Sequence, residues 1–224
     1  MNLIEYPDAD MMMIDLANTL AGELNSALRS NDRVSFAVPG GTTPGPLFDD
    51  LCAADLPWDR VDVLLTDERW VPESSERSNT RLLRERLLTG RAAAATLIPL
   101  YADTETPEEA MPTLRQKIGP ILPLNLLLLG MGTDMHTASL FPGADRLEEA
   151  FDTHAPVLLP MRADGADEPR VTLTAPVLKG AITTHVLITG AEKREVLERA
   201  RNIHDPMEAP ISAILGDATV HWAE

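Results

Sequence analysis

The chain has 224 residues, of which 44% are hydrophobic and 24% charged, a composition typical of a globular protein. Its 35 acidic residues outnumber its 19 basic residues, so the net charge is −16 with histidine neutral. A field of this sign repels phosphate backbones and anionic membrane surfaces, which argues against nucleic acid or a membrane as partner. An anionic substrate would have to be captured by a few basic groups and backbone N–H donors in one cleft. The length fits one large domain or two tightly joined ones, and we expect residues 1–224 to form a single domain.

Cysteine content and hydropathy bear on the cellular compartment. Cys52 is the single cysteine, which excludes a disulfide within the chain, and no cysteine cluster suits zinc. The first twenty residues contain acidic residues and no basic one, so they lack the positively charged start of a secretory signal. The longest apolar run, residues 124–129, is far shorter than a membrane span. These features predict a soluble, cytoplasmic protein.

Hydrophobic periodicity predicts the secondary-structure elements in chain order. Residues 8–29 place apolar side chains at three- and four-residue steps, which indicates an amphipathic helix. Its apolar positions are Met11, Ile14, Leu16, Leu20, Leu24 and Leu28. Short apolar runs predict strands at 34–38, 61–66, 96–100, 124–129, 157–159, 171–173 and 184–189. Helical patterns lie between most of them, at 44–53, 79–88, 107–118 and 191–201.

This alternation predicts the fold class. Strands that are apolar throughout and are separated by helices indicate a mainly parallel sheet with helices on both faces, an α/β doubly wound, Rossmann-like architecture. Residues 67–78 are predicted as a charged loop, and residues 162–169 as a flexible loop or lid. Ligands of such sheets bind beyond the carboxyl ends of the strands, so residues that follow a strand are the candidates for a site.

The first candidate segment, Pro39 to Pro44, falls between a predicted strand and a predicted helix. Gly40 and Gly41 allow the backbone to turn its N–H groups toward a ligand. The hydroxyls of Thr42 and Thr43 add donors, and the following helix presents its positive end. Such a loop suits a phosphate group, but a plain strand-to-helix turn has the same composition. The segment lacks the Gly-Lys-Ser/Thr ending of a nucleotide-binding loop, so a nucleotide is not implied.

The second candidate segment, Thr66 to Pro72, places Asp67, Glu68 and Arg69 directly after a buried strand. Polar and charged side chains at that position could hold hydroxyl groups of a sugar. The alternative is a capped turn with surface ion pairs, in which the Ser-Asn pair at 78–79 caps the next helix.

The third candidate segment, Leu129 to Gly143, is a glycine-rich strand end with Asp134 two residues before His136. The carboxylate can orient the imidazole, a group suited to removing a proton from water near neutral pH. The alternative is a structural histidine. The remaining histidines have no such setting and receive no role: His154, His185, His204 and His221.

In this order, the three segments resemble the 6-phosphogluconolactonase family, which is related to glucosamine-6-phosphate deaminase and shares its fold. Arg170 to Thr174 and Gly190 to Lys193 extend the resemblance, which spans about residues 34–193. The resemblance implies an α/β enzyme that hydrolyses 6-phospho-D-glucono-1,5-lactone, a phosphosugar lactone, to 6-phosphogluconate. This is the second step of the oxidative pentose phosphate pathway and implies no metal or organic cofactor. Assembly stays open between a monomer and a homodimer.

The resemblance also assigns site residues by position. It implies catalytic roles for His136, Asp134 and Arg69, and it implies no metal ligand. The implied substrate-binding residues are Gly40, Gly41, Thr42, Thr43, Asp67, Arg170 and Lys193. Two positions depart from the family pattern. Pro39 removes a hydroxyl from the phosphate loop, and Met135 replaces a glycine, so a backbone conformation restricted to glycine is not expected there.

The implied mechanism uses His136 as a general base for water, while either Arg69 or backbone N–H groups near Gly132 stabilise the oxyanion. Two rival functions are a deaminase and a sugar-phosphate sensor. The deaminase branch has Asn-Glu-Pro after its Asp-Gly-His segment, whereas Ala138 to Pro142 supply no carboxylate here. A sensor is expected to carry a DNA-binding segment, for which the chain shows no basic region.

Overall fold

A parallel sheet of seven strands organises the molecule, and a second sheet of three antiparallel strands accompanies it. The structure, a computed structural model, describes residues 1–224. The strands are β1 (Asn2–Glu5), β2 (Val34–Val38), β3 (Val61–Leu65), β4 (Asp67–Arg69), β5 (Thr96–Ile98), β6 (Leu126–Gly130), β7 (Leu158–Met161), β8 (Arg170–Leu173), β9 (Thr183–Thr189) and β10 (Thr219–Ala223). The large sheet has the order β1-β10-β9-β6-β2-β3-β5, and the small sheet has the order β4-β8-β7.

Seven α-helices surround the central sheet. They are α1 (Ala9–Leu28), α2 (Gly45–Leu51), α3 (Asn79–Arg86), α4 (Pro107–Ile118), α5 (Leu147–Phe151), α6 (Ala175–Lys179) and α7 (Ala191–Ala200). Every residue of β2 and β3 is buried, so both faces of the sheet are covered at its centre. The prediction of a doubly wound α/β fold is confirmed. None of the helices combines the length and the apolar character needed to cross a membrane.

The strand order reverses between β2 and β6, and this reversal positions the site. From β2 the chain continues to β3 and β5 on one side, whereas β6, β9 and β10 lie on the other side. All neighbouring strands of the large sheet are parallel, so their carboxyl ends share one edge. The loops that follow β2 and β6 lead to opposite sides and leave a crevice, the usual ligand position of a doubly wound sheet.

Helix α1 buries a face that differs from the predicted one in its first turns. Met11 and Ile14, predicted on the packing face, are 46% and 47% exposed, whereas Met12, Met13 and Leu16 are buried. Because three consecutive residues here are methionines, the apolar periodicity does not determine which of them faces the core. The tertiary contacts of α1 with the sheet and α2 therefore select the buried face, and local periodicity does not.

The segment Asp67–Arg69 forms strand β4, so the prediction of a loop from residue 67 is wrong at its start. Strand β4 pairs with β8 in antiparallel register, and β8 pairs with β7. Cross-strand hydrogen bonds outweigh the low strand propensity of acidic residues. The sequence pattern also does not predict β1 or β10, because these strands have only four and five residues and include polar side chains such as Glu5 and His221.

A partly buried chain of polar side chains links α1 to the large sheet. The Tyr6 hydroxyl lies 2.8 Å from His221 Nδ1, and His221 Nε2 lies 2.9 Å from His185 Nδ1. His185 Nε2 lies 2.8 Å from a carboxylate oxygen of Glu23. Burial, and after it the charge of His185, lowers the pKa of His221 to about 4. The fold therefore accommodates the neutral imidazole.

This depressed pKa predicts a pH-dependent stability. The unfolded chain takes up a proton on His221 below pH 6.5, and the folded chain does so only near pH 4. The stability contribution is thus complete above pH 6.5 and is lost as the pH falls toward 4, by about 3 kcal/mol in all. We expect urea unfolding between pH 7 and pH 4 to show a smaller loss for His221→Gln than for the wild-type chain.

The hydrogen-bonded chain around His221 contains three other titratable groups, namely Tyr6, Glu23 and His185. The charge of Asp15 acts on Tyr6 from outside it. Tyr6→Phe is the matched control, because it removes one hydrogen bond and keeps the His221 imidazole. It should retain the wild-type pH dependence. Equal pH dependence in His221→Gln and the wild-type chain would contradict the assignment.

Candidate active site

The carboxyl ends of β2 and β6, together with β4, β8 and α7, border a cleft of about 220 Å³. All predicted site residues except Asp134 and Thr42 line it, namely Gly40, Gly41, Thr43, Asp67, Arg69, His136, Arg170 and Lys193. Asp134 contacts His136, and the Thr42 side chain is exposed outside the lining. Segments that are distant in sequence therefore meet at the crevice of the sheet.

The loop between β2 and α2 presents unused backbone donors. The N–H groups of Gly40, Gly41, Thr42 and Thr43 donate no hydrogen bond to another backbone group. A Cβ at Gly40 would lie 2.1 Å from the Asn79 side chain, so only glycine permits this close approach. Neighbouring free N–H groups create a concave, positively polarised surface, which suits an anion.

His136 lies in the loop after β6, where Asp134 fixes its ring. Asp134 Oδ1 is 2.5 Å from His136 Nδ1 and also accepts from the His136 backbone N–H at 3.2 Å. When Nδ1 donates to this carboxylate, Nε2 carries the free lone pair. Partial burial acts to raise the pKa of Asp134, but the hydrogen bond from His136 and its charge hold that pKa below the ordinary value. The pair therefore presents an oriented base.

The backbone of the same loop has two unusual positions. A Cβ at Gly132 would lie 2.2 Å from His136 Nδ1, so the imidazole position requires glycine there. Met135 has a φ of 66°, in the left-handed region that residues other than glycine adopt rarely. That conformation costs about 1–2 kcal/mol. Hydrogen bonds hold it, since Met135 N–H donates to Gly132 O and Met135 O accepts from the Ile211 N–H.

Three cations line the cleft without an ion-pair partner: Arg69, Arg170 and Lys193. Arg69 and Arg170 are direct cross-strand partners on β4 and β8. Their Nε atoms are buried and have no hydrogen-bond partner. The guanidinium carbon of Arg170 lies 5.8 Å from the centre of the Phe141 ring.

The charge state of these groups reflects their environment. Burial, followed by the charge of Arg69, lowers the pKa of Arg170. Burial lowers the pKa of Lys193. Unpaired cations in a partly buried site are costly, and an anion that binds there removes much of the cost. The arrangement therefore indicates an anion site. No cluster of three or more His, Cys, Asp or Glu side chains is placed to hold a metal ion.

Asp67 is the single carboxylate among the residues that line the cleft. It accepts hydrogen bonds from the hydroxyls of Thr66 at 3.1 Å and Ser139 at 2.6 Å. A carboxylate has about four acceptor positions. Asp67 can therefore also accept a hydrogen bond from a sugar hydroxyl.

Two residues of the site have no predictive signal in the sequence. Asn79 lines the cleft, accepts from Arg69 Nη1 at 3.0 Å and donates to the backbone oxygen of Asp67 at 3.2 Å. Ser139 fixes the Asp67 carboxylate. Ser78 is the N-cap of α3, so the capping interpretation of the 78–79 pair is also confirmed. A Ser-Asn pair at a helix start suits capping and ligand binding equally, and so the sequence does not separate the two roles.

Comparisons of the family, the sequence and the structure all match nearly the whole chain to the same group of proteins. The family described as glucosamine-6-phosphate isomerases/6-phosphogluconolactonase matches residues 7–222. A 6-phosphogluconolactonase of Rhizobium meliloti is 41% identical, with 100% of this chain and 98% of the relative covered. One of Pseudomonas aeruginosa is 39% identical, with 92% and 88% covered. The crystal structure of a 6-phosphogluconolactonase from Shewanella baltica has a TM-score of 0.96 at 29% identity, with 100% and 97% covered.

Because the cations of the cleft lack partners, we expect the removal of one of them to raise the stability of the protein and to weaken anion binding. Arg170→Met removes one of two adjacent cations and keeps the length of the side chain. We expect this variant to be more stable than the wild-type chain by about 1 kcal/mol without anions, since a partly buried like-charge contact is removed. We also expect it to lose most of the stabilisation that inorganic phosphate gives the wild-type chain. Urea unfolding with and without phosphate measures both effects.

Arg199→Met is the matched control, because Arg199 is an exposed arginine of α7 without an ion pair and lies outside the cleft. It should leave the response to phosphate unchanged. A wild-type chain that phosphate does not stabilise, or an Arg170→Met variant with the full wild-type response, would contradict the anion site.

Proposed function

Because the chain belongs to the glucosamine-6-phosphate isomerase/6-phosphogluconolactonase family, we infer that it is an enzyme that hydrolyses 6-phospho-D-glucono-1,5-lactone to 6-phosphogluconate in the pentose phosphate pathway. The observation that carries this inference is that three unpaired cations and an oriented imidazole share one cleft. The cations suit the phosphate of the substrate, and the imidazole suits the activation of water at its ester carbonyl.

The phosphate binds to Arg170, Lys193 and the free N–H groups of the loop after β2. Arg170 and Lys193 are the partly buried cations whose positive charge lacks a partner, and a phosphate dianion offsets both. Thr43 lines the cleft and adds its hydroxyl, whereas the exposed Thr42 contributes its backbone N–H. Asp67 accepts a hydrogen bond from a hydroxyl of the sugar. These contacts place C1 of the lactone near His136.

The chemical step begins at His136 Nε2. The imidazole takes a proton from water while the water oxygen attacks C1, and the carbonyl electrons move to the oxygen on C1. When the tetrahedral intermediate collapses, the bond between C1 and the ring oxygen breaks, and the proton returns from His136 to that oxygen. The products are a carboxylic acid and a free hydroxyl. Asp134 keeps the ring in the required tautomer and stabilises the imidazolium between the two transfers.

Arg69 is the proposed donor to the developing oxyanion. The Gly132 N–H, one of the expected alternatives, already donates to the His136 carbonyl oxygen at 3.0 Å. The Arg69 side chain lines the cleft, and Arg77 O and Asn79 Oδ1 hold its Nη1 in place. A donor that is fixed before the reaction stabilises the transition state without a reorganisation cost.

The isomerase branch of the family fits the cleft less well. Proton transfer between carbon and oxygen after ring opening would require a further acid or base near the imidazole. Residues 137–142 supply no carboxylate, and the Asp67 carboxylate is engaged by two hydroxyls. Ester hydrolysis needs one base, which His136 provides.

Four further expectations accompany this function. We propose that residues 1–224 form a single domain, because one hydrophobic cluster of 56 buried residues includes strands of both sheets and most of the helices. A cytoplasmic location stays a prediction from the sequence, and so does the choice between a monomer and a homodimer. A phosphosugar lactone is the proposed small-molecule partner.

The direct test generates the lactone in place with a glucose-6-phosphate-oxidising enzyme and compares its disappearance with and without this protein. Since the lactone also opens unaided, the rate without protein is the baseline. We expect His136→Asn to lower kcat by about 10²–10⁴ because general-base catalysis is lost. Its affinity for 6-phosphogluconate, measured by calorimetry, should stay close to the wild-type value.

Lys193→Met provides the comparison, because a phosphate contact acts in the ground state and in the transition state alike. It should raise KM and change kcat little. A wild-type rate equal to the baseline would refute the function, and an unimpaired His136→Asn variant would remove His136 from the mechanism.

A further inference from the structure

Glu68 is a completely buried acidic residue that does not line the cleft. Its Oε1 accepts from the backbone N–H groups of Arg69 and Asn79, each at 2.8 Å. Its Oε2 accepts from the N–H and the hydroxyl of Thr80, each at 2.7 Å, and from the Ser78 hydroxyl at 3.3 Å. One carboxylate therefore collects five donors from two elements, strand β4 and the first turn of α3.

The donors around Glu68 determine which side chain this buried position can accept. Burial raises the pKa of Glu68, and the hydrogen bonds from Asn79, Thr80 and Arg69 oppose that rise. Backbone N–H groups only donate, so both oxygens must act as acceptors. A glutamine at this position would direct its NH₂ group at a backbone N–H in either orientation. The site therefore requires a carboxyl group with two accepting oxygens.

The two elements that Glu68 joins carry cleft residues next to the joint. Arg69 follows Glu68 on β4, and Asn79 is the first residue of α3. The Asn79 side chain accepts from Arg69 Nη1 and lies against Gly40 of the loop between β2 and α2. A change in the spacing between β4 and α3 would thus move the Arg69 guanidinium and the wall beside Gly40 together.

We propose that Glu68 is a positioning residue, which holds the Arg69 guanidinium in the cleft by tying β4 to the start of α3. The proposal rests on the lactone hydrolysis inferred above and assigns it a support outside the cleft. Glu68 touches no substrate, and it acts on the reaction through Arg69, whose Nη1 the Asn79 side chain also holds. A shift of about 1 Å in a catalytic group is sufficient for a large loss of rate.

The test measures kcat and KM for Glu68→Gln, Thr80→Val and Thr80→Ser at a temperature where circular dichroism shows each variant to be folded. Thr80→Val removes one hydroxyl donor with little change in volume, and Thr80→Ser keeps that donor. We expect Glu68→Gln to lower kcat by about tenfold or more with little change in KM, since misplaced oxyanion donors act on the transition state. Thr80→Val should show a smaller loss of kcat, and Thr80→Ser should restore the wild-type value.

A double-mutant cycle separates positioning from general destabilisation. In an Arg69→Met background, Glu68→Gln and Thr80→Val should cause no further loss of kcat, because the group that they position is absent. Losses that multiply in this background would overturn the proposal, as would an unimpaired, folded Glu68→Gln variant. If Glu68→Gln does not fold, the comparison of Thr80→Val with Thr80→Ser tests the proposal in its place. Equal kcat values for these two variants would overturn the proposal.

A measurement without substrate distinguishes failure of this proposal from failure of the function. The ¹H–¹⁵N resonance of Arg69 Nε should move in Thr80→Val and stay in place in Thr80→Ser. If the wild-type chain does not hydrolyse the lactone, the proposed function fails, and this resonance still decides whether Glu68 positions Arg69. A resonance that is unmoved in Thr80→Val would overturn the positioning role even in an active enzyme.

Discussion

Arg69 and Arg170 lie opposite each other on neighbouring strands, and each keeps a buried Nε without a hydrogen-bond partner. Elsewhere in this acidic chain most arginines are neutralised by carboxylates, for example Arg81 by Glu85 at the surface. Like charges at close range in a partly buried cleft repel each other, and the packed core must offset that cost. A bound anion is the partner that this arrangement lacks. The cleft therefore suits an anion, at the expense of stability.

The net charge of −16 and an anionic substrate are compatible for the same reason. The field of the whole chain is screened over roughly 8–10 Å at physiological ionic strength. Within that distance, the proposed binding mode brings the substrate to Arg69, Arg170 and Lys193, with Asp67 as the single carboxylate among the lining residues. Local geometry therefore determines binding, and net charge determines which other partners are repelled.

The order of the strands explains how distant residues reach this cleft. The reversal between β2 and β6 opens the crevice, and the loops after these strands bring the phosphate loop and His136 to it. Lys193 arrives on α7, directly after β9. The second sheet completes the site, because its pairing of β4 with β8 sets Arg69 beside Arg170.

The central strands and the three strand-end segments leave local patterns in the sequence, whereas Arg170 and Lys193 are expected in the site only from the family resemblance. Continuous apolar runs such as 34–38 match strands that are buried on both faces. By contrast, β4 is selected by cross-strand pairing, although its residues have low strand propensity. The left-handed backbone of Met135 likewise depends on hydrogen bonds to Gly132 and Ile211, which are contacts made by the folded chain.

The residues that hold the site in place are harder to predict from the sequence than the residues that line it. Asn79 and Glu68 are ordinary polar residues in the sequence, and their roles arise only when β4 and α3 come together. Their positions separate these roles, since Asn79 lines the cleft and Glu68 does not. The chemistry of a site is thus readable from its strand ends, whereas the parts that hold it in place become visible only in three dimensions.

A crystal structure of the protein with bound 6-phosphogluconate reveals where the phosphate and the carboxylate of the product lie in the cleft. We expect phosphate oxygens within hydrogen-bond distance of Arg170 and Lys193, and the carboxylate derived from C1 beside His136 Nε2. A product molecule whose phosphate contacts neither cation, or whose carboxylate lies at the opposite end of the cleft from His136, would contradict the proposed binding mode.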